Sequence, residues 1–257
     1  MDKPTLNGCW AKIARAREHN YRLEELAEAF LKRRPNQVSF DAHTDPQWLV
    51  IRAVVEPIPL EFSAIAGDLI QNLRSALDLL VWQLVLIEGA TPGRHNSFPL
   101  ADSQAEFDRR VRNPAKGRKS PLAGIDPAGE KWAIIERAQP YRPGQWDLGL
   151  VASFSNRDKH QGLLTPVSFT HTIDPDELVQ VVGDPHAEIE AVFQPPDALE
   201  HDAPLIRVRK RIGQVQMKAD PPFDIQISDG RVAVPIPGPD KLRSAVIGVV
   251  RSFERWF

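Results

Sequence analysis

The clearest pattern of apolar and polar positions runs from Leu60 to Glu88. Stepped at about 100° per residue, Ile65, Leu69, Leu73, Ala76, Leu77, Leu80, Leu84 and Ile87 fall on one arc, widened by Ile70 and Val81. Asp68, Gln71, Arg74, Ser75 and Asp78 gather on the opposite arc, with Asn72 at one edge. This partition predicts an amphipathic helix whose apolar arc is wide enough to need more than one packing neighbour. Trp82 falls among the polar positions, so that face is either an interface or a second covered surface. If covered, Asp68, Asn72, Arg74 and Asp78 become buried polar groups that need partners from elsewhere in the chain.

The flanking patterns fill in the other elements. Residues 5–33 read as a helix with Leu23, Leu26, Ala27, Phe30 and Leu31 on its stripe, continued by Trp10 and Ile13; basic residues at 32–34 suit its C-terminus and Pro35 stops it. Gln37–Ala42 and Trp48–Val55 read as a hairpin, with Val38, Phe40 and Ala42 on one face and Thr44-Asp45-Pro46 in the turn. Helices are predicted around 103–111, 126–138 and 147–159, the last with Leu148, Val151, Ala152 and Phe154 or Ser155 toward the core.

From Leu163 the texture becomes β, with strands at 163–170, 177–182, 187–193, 205–217, 223–228 and 231–236. Asp229-Gly230 is a type I′ turn signal; a two-residue turn there pairs Ile227 with Val232, Ile225 with Val234 and Phe223 with Ile236. Pro235 then suits an edge strand. Within 205–217, Ile206, Val208 and Ile212 alternate with Arg207, Arg209 and Arg211, and Gly213 marks a bulge. A closing helix over 240–256 carries Leu242, Val246, Val249 or Val250, and Phe253 on its stripe. The expected fold class is α+β. A helical bundle over 1–161 carries an inserted β-hairpin near 37–55. An antiparallel β part follows over 162–237, and a C-terminal helix over 238–257 packs back on the bundle.

Composition narrows the function classes. A hydrophobic share of 42% over 257 residues is globular, and a net charge of -2 disfavours nucleic-acid binding by the whole surface. The single Cys9 excludes an intramolecular disulfide and a cysteine-cluster zinc site, which suits a reducing cytoplasm. Asp78 and Gln83 interrupt the longest apolar run, and the opening MDKPTLNGCW lacks the apolar core of a secretion signal, so the expectation is a cytoplasmic chain with no membrane span.

Phosphate-loop, zinc-protease, nucleophile-elbow and paired-cysteine fingerprints are absent. No metal and no cofactor are expected, and His95, His171, His186 and His201 lack metal-ligand spacing. One constellation remains: Asp68, Asn72, Arg74 and Asp78 on the central helix, with Asn156, Asp158 and His160 at a later helix end. Asn156 and His160 stand four apart and share a helix face. Brought together, a guanidinium, a carboxylate and an imidazole bind a phosphate or cleave RNA by general acid–base chemistry; alternatively they lock two helices through a polar network. Arg207, Arg209 and Arg211 are a second, nucleic-acid-binding candidate, set against the plain reading of a solvated strand face.

These residues also carry a resemblance. Gly67-Asp68, Asn72 to Asp78, Phe98-Pro99, Gln139-Pro140-Tyr141 and Asn156 to His160 resemble a group of bacterial and phage proteins with the texture GD-x3-NLRSALD, FP, QPY and N-x-DKH, over about 60–165. That resemblance implies no particular activity. Leu79-Leu80 departs from the group's frequent His after the Asp, which removes a second imidazole. Asn156-x-x-x-His160 is also similar to the second half of the motif of HEPN domains, helical modules that often act as metal-independent ribonucleases. Ser155 stands where that motif has Arg, so Arg74 would have to substitute. Two functions follow as expectations. The first is a binding or interaction protein whose polar cluster is mainly structural. The second is a HEPN-like ribonuclease in phage defence, with Arg74, Asn156 and His160 catalytic. The partners these admit are RNA or a protein, including a second copy of the chain in a homodimer.

Overall fold

The computed structural model describes residues 3–42, 47–160, 164–170, 174–182, 186, 188–192, 199–209, 214–218, 223–236 and 238–257, except the side chains of Lys159, His160, Phe169, Thr170 and Pro175. The fold is α+β. The chain divides into two compact units that alternate along the sequence: Met1–Leu23, Ser63–Leu164 and Pro237–Phe257 form a helical unit, and Glu24–Phe62 with Thr165–Ile236 form a β-rich one.

Helix α1 spans Asn7–Lys32. Its buried positions from the residue just before it are Leu6, Cys9, Ile13, Ala16, Asn20, Leu23, Ala27 and Phe30, alternating steps of three and four that keep one side of a helix facing inward. The predicted stripe was one position off at the start: Cys9 is fully buried, whereas Trp10, Leu26 and Leu31 flank the seam half-buried.

Helix α2, Glu61–Ile87, is the core of the helical unit. Leu69, Leu73, Ala76, Leu77, Leu80 and Leu84 are buried as the period predicts, and Ile70, Val81 and Val85 widen the buried arc. By length and composition it could cross a bilayer, yet its apolar arc is spent on the protein interior, and Asp68, Arg74 and Asp78 interrupt it. That is the pattern of a core helix and is compatible with a soluble protein.

Helix α3, Gln104–Phe107, is capped by the Ser103 side chain and runs on as a π-helical turn, Asp108–Arg112. Helix α4 spans Glu130–Arg137 and α5 spans Trp146–His160, with Leu148, Val151, Phe154 and Ser155 buried. Helix α7, Pro239–Arg251, follows the one-turn α6 at Pro175–Leu178 and packs on α5. Its inward residues are the predicted Leu242, Val246, Val249 and Val250, with Phe253 just beyond its end.

The β-rich unit holds nine strands among the described residues, all paired antiparallel. One sheet has the order β1 (Gln37–Asp41), β2 (Trp48–Val54), β6 (Pro204–Arg209), β5 (Ile189–Ala191); a second has β3 (Thr165–Thr170), β8 (Phe223–Ser228), β9 (Ala233–Pro235); the third pairs β4 (Val179–Val182) with β7 (Gln214–Met217). Ile51, Ala53, Leu178, Val179, Leu205, Ile206 and Val208 make the unit's core. Phe40, in the predicted alternation with Val38 and Ala42, is 48% exposed on the edge strand β1, opposite the buried Ile51. The stretch expected as one strand over 205–217 is two, β6 and β7, in different sheets; Arg211, Ile212 and Gly213 lie outside the described residues, as does the predicted turn Thr44-Asp45-Pro46.

The final hairpin has a different register from the one its turn residues predict. Ile227 pairs with Val234 and Ser228 with Ala233, a slip of two positions. Asp229 causes it: its Oδ1 accepts from the N–H groups of Arg231 and Val232, both at 2.9 Å, closing a longer turn in which Gly230 takes φ +87°. A slip of two leaves every side chain on its predicted face, so Ile225, Ile227 and Val234 remain buried. Pro235 lies on the edge strand β9, where its missing N–H costs no ladder bond.

Candidate functional site

The polar arc of α2 meets the segment that follows it. Arg74 and Asp78, one turn apart, pair at 3.1 Å and reach the same peptide residue. Arg74 Nη2 donates to the carbonyl of Phe98 at 2.6 Å, and the Phe98 N–H donates to Asp78 Oδ1 at 2.9 Å. The Phe98 ring is fully buried. Its backbone would otherwise be an uncompensated polar cost inside a loop. Two further side chains hold the next residues. Arg110, on the π-helical turn, donates to the Leu100 carbonyl at 2.9 Å, and Gln139 Oε1, just after α4, accepts from the Ala101 N–H at 3.1 Å. Gln139 is fully buried and returns its amide to the Ile135 carbonyl.

Arg74 keeps 14% of its side-chain surface exposed. Burial pushes its guanidinium below the usual arginine range, the neighbouring Asp78 opposes that, and Arg110 adds to the lowering through like-charge repulsion.

A second node ties α2 to α5. Gln71 Nε2 donates to Asp158 Oδ2 at 3.2 Å and lies 3.5 Å from Ser155 Oγ. Gly67 packs close to this node: a Cβ at that position would sit 2.7 Å from Asp158 Oδ1, so the carboxylate would have to shift. A third node faces away from these. Asn72 donates to the Asp68 carbonyl one turn back at 2.8 Å and accepts from Lys12 Nζ at 3.3 Å, while Asp68 is exposed and bears on His19.

The predicted constellation therefore divides. Arg74, Asp78 and Asn156 line one cavity of about 260 Å³, together with Ser97, Arg110 and Ser155. Asp158 belongs to the Gln71 node. Asp68 and Asn72 stand apart from both. His160 is the last residue of α5, four after Asn156, and its side chain lies outside the described residues.

Sequence reasoning missed Arg110, Ser97, Gln71 as a partner, and a polar cluster built on Gln104. There the Tyr141 hydroxyl donates to Gln104 Oε1 at 3.0 Å, Gln104 donates to Asp108 and Glu136, and Arg112 pairs with Glu136 at 2.7 Å. Burial is the largest influence on Tyr141, raising its phenol above the usual value. The signal for Arg110 was Phe98-Pro99 itself: a buried aromatic in a loop needs donors and acceptors for the backbone around it.

The strand arginines are engaged elsewhere. Arg207 Nε donates to Glu190 at 2.6 Å and Arg209 pairs with Glu188 at 2.8 Å, with both guanidiniums over the Trp48 ring at 4.5 and 5.7 Å. Arg211 lies outside the described residues. Cys9 is fully buried and its thiol is pushed up to about 11, so it packs as an apolar residue. Among the described residues no group of three His, Cys, Asp or Glu side chains is placed to hold a metal ion.

A scan against protein-family models, a search of curated proteins and a search of solved structures each returned no match.

Proposed function

We propose that this chain is a binding and interaction protein whose α2 polar residues serve first as a structural lock on residues 98–101. One observation carries the reading: Arg74 and Asp78 are both committed to the backbone of Phe98. A catalytic guanidinium needs its donors aimed at the charge that develops on substrate; the best donor of Arg74 already holds a peptide carbonyl. The chain is taken as cytoplasmic, in keeping with its single, inert cysteine, and its partner as RNA or another protein.

A second reading, metal-independent RNA cleavage of HEPN type, draws on Arg74 and Asn156 lining the same cavity. One experiment separates the two: incubation of the wild-type chain and His160→Ala with single-stranded RNA in the presence of a chelator, with thermal melting of both. The binding reading expects no cleavage by either protein. Cleavage by the wild type that His160→Ala abolishes, with the melting temperature unchanged, overturns it.

A further inference from the structure

The cavity beside α2 is lined by more hydrogen-bond donors than the fold consumes. A guanidinium carries five N–H donors in a planar fork. Arg74 spends Nη2 on the Phe98 carbonyl and Asp78, and Arg110 spends Nη1 on the Leu100 carbonyl and Glu106. The remaining edge of each makes no hydrogen bond among the described residues. The Asn156 amide, exposed at the cavity wall, is in the same condition, and so is the Ser97 hydroxyl.

The nearby acids are engaged by the protein itself, Glu106 through both carboxylate oxygens and Asp78 through Oδ1. Asp78 Oδ1 receives both the Phe98 N–H and Arg74, and Glu106 receives the Asp102 N–H and Arg110. Two cations thus face one small space with their outer edges free. The energetic sign agrees: Arg74 is disfavoured by its burial and by Arg110, and Asp78 opposes both.

Size limits the occupant. A volume of 260 Å³ lies just under the range of about 300–1,000 Å³ typical of pockets for drug-sized ligands. It holds about eight or nine waters at about 30 Å³ each. Guanidinium forks match the spacing of oxyanion oxygens and bind them bidentately.

From these residues we infer that the cavity between Arg74, Arg110 and Asn156 binds a phosphate group, free or as the head of a phosphomonoester. This rests on the binding reading of the previous subsection and supplies its ligand class.

The test uses the full chain, with inorganic phosphate and a nucleoside 5′-monophosphate as probes and chloride at matched ionic strength as the reference. Thermal melting and titration calorimetry are read for the wild type, Asn156→Asp and Arg110→Gln. Asn156→Asp places a carboxylate at the cavity wall where the side chain holds nothing in the fold and where two guanidiniums present free edges, so its melting temperature without phosphate is at or above the wild-type value. Phosphate raises the melting temperature of the wild type above that in chloride, and Asn156→Asp loses at least about tenfold in affinity, or 1.4 kcal/mol. Arg110→Gln loses affinity as well, and is judged by calorimetry because it also gives up the Leu100 hydrogen bond. Equal affinity for both probes identifies free phosphate as the ligand; tighter binding of the nucleotide identifies the phosphomonoester. No phosphate-specific shift in the wild type, or unchanged affinity in Asn156→Asp, overturns the inference. RNA cleavage with phosphate affinity retained overturns the binding reading and leaves the phosphate site standing.

Discussion

Arg74 and Asp78 grip the two polar atoms of a single peptide residue: one holds the carbonyl of Phe98 at 2.6 Å and the other its N–H at 2.9 Å. The i,i+4 spacing that makes them an ion pair also sets them to bracket that residue. Asp78→Ala removes an acceptor and leaves a largely buried guanidinium without its counter-charge. It should cost about 1–3 kcal/mol, read as a lower urea midpoint with an unchanged slope. Asp78→Asn keeps an oxygen for the Phe98 N–H and should cost less. Equal losses in the two variants would show that charge contributes nothing.

Gly67→Ala should lower stability although alanine is the better helix former. The added Cβ meets Asp158 Oδ1 at 2.7 Å, so Asp158 must swing away and release Gln71. In an Asp158→Ala background the obstacle is gone, and the same change should stabilise by up to about 1 kcal/mol, the usual helix-propensity gain. A double-mutant cycle reads the difference; identical effects in both backgrounds would remove Asp158 from the explanation.

Asp229→Ala should loosen the β8–β9 hairpin. Two N–H groups lose their acceptor at a position only 6% exposed, a loss of about 1–3 kcal/mol. Asp229→Asn retains an acceptor oxygen and should fall between. Hydrogen exchange at the amides of Arg231 and Val232 reports the site directly: protection that persists in Asp229→Ala would rule out the side chain as its source.

Cys9 should be silent to thiol reagents in the native protein at neutral pH and react only on unfolding. Its thiol is pushed from 9.0 to about 11 by burial, so above pH 9 the unfolded chain gives up a proton that the folded chain retains. Stability should therefore fall as pH rises between about 9 and about 11. Cys9→Ala should flatten that part of the profile. An unchanged alkaline limb in the alanine variant would assign it to other groups.

Removing both neutral pairs together, Arg207→Ala and Arg209→Ala with Glu188→Ala and Glu190→Ala, should leave retention on a polyanion column unchanged, because each guanidinium is already matched by its glutamate beside the Trp48 ring. Uncovering the ring should shift Trp48 fluorescence to the red. A marked loss of retention would restore the strand arginines as a phosphate-contacting ridge.

The long helices were legible because burial and period agree along them: Leu69, Leu73, Leu77, Leu80 and Leu84 leave little choice for α2, nor do Leu242, Val246 and Val250 for α7. The last hairpin was misread by two positions because a side chain, Asp229, bids for N–H groups that the turn signal alone assigns to the strands. Splitting 205–217 between two sheets left only the change of phase at Gly213, which reads equally well as a bulge, since Val215 and Met217 continue a β pattern whichever partner they take. At the site, the spacing of Arg74 and Asp78 was visible, but their common target was not: Phe98 lies twenty positions from Asp78, and only the need to satisfy a buried loop backbone connects them. Arg110 stood in a run of arginines with nothing to set it apart until the π-helical turn aimed it at Leu100.

The alternation of the two units along the chain has a consequence for biosynthesis. On a ribosome the first helix and the α2–α5 region emerge long before Pro239–Arg251, so the surface of α5 that α7 covers stays uncovered until translation has passed the whole β-rich unit. Vectorial folding of the helical unit therefore cannot finish before its last piece is made, and a nascent chain stalled before residue 239 lacks the α7 cover of α5.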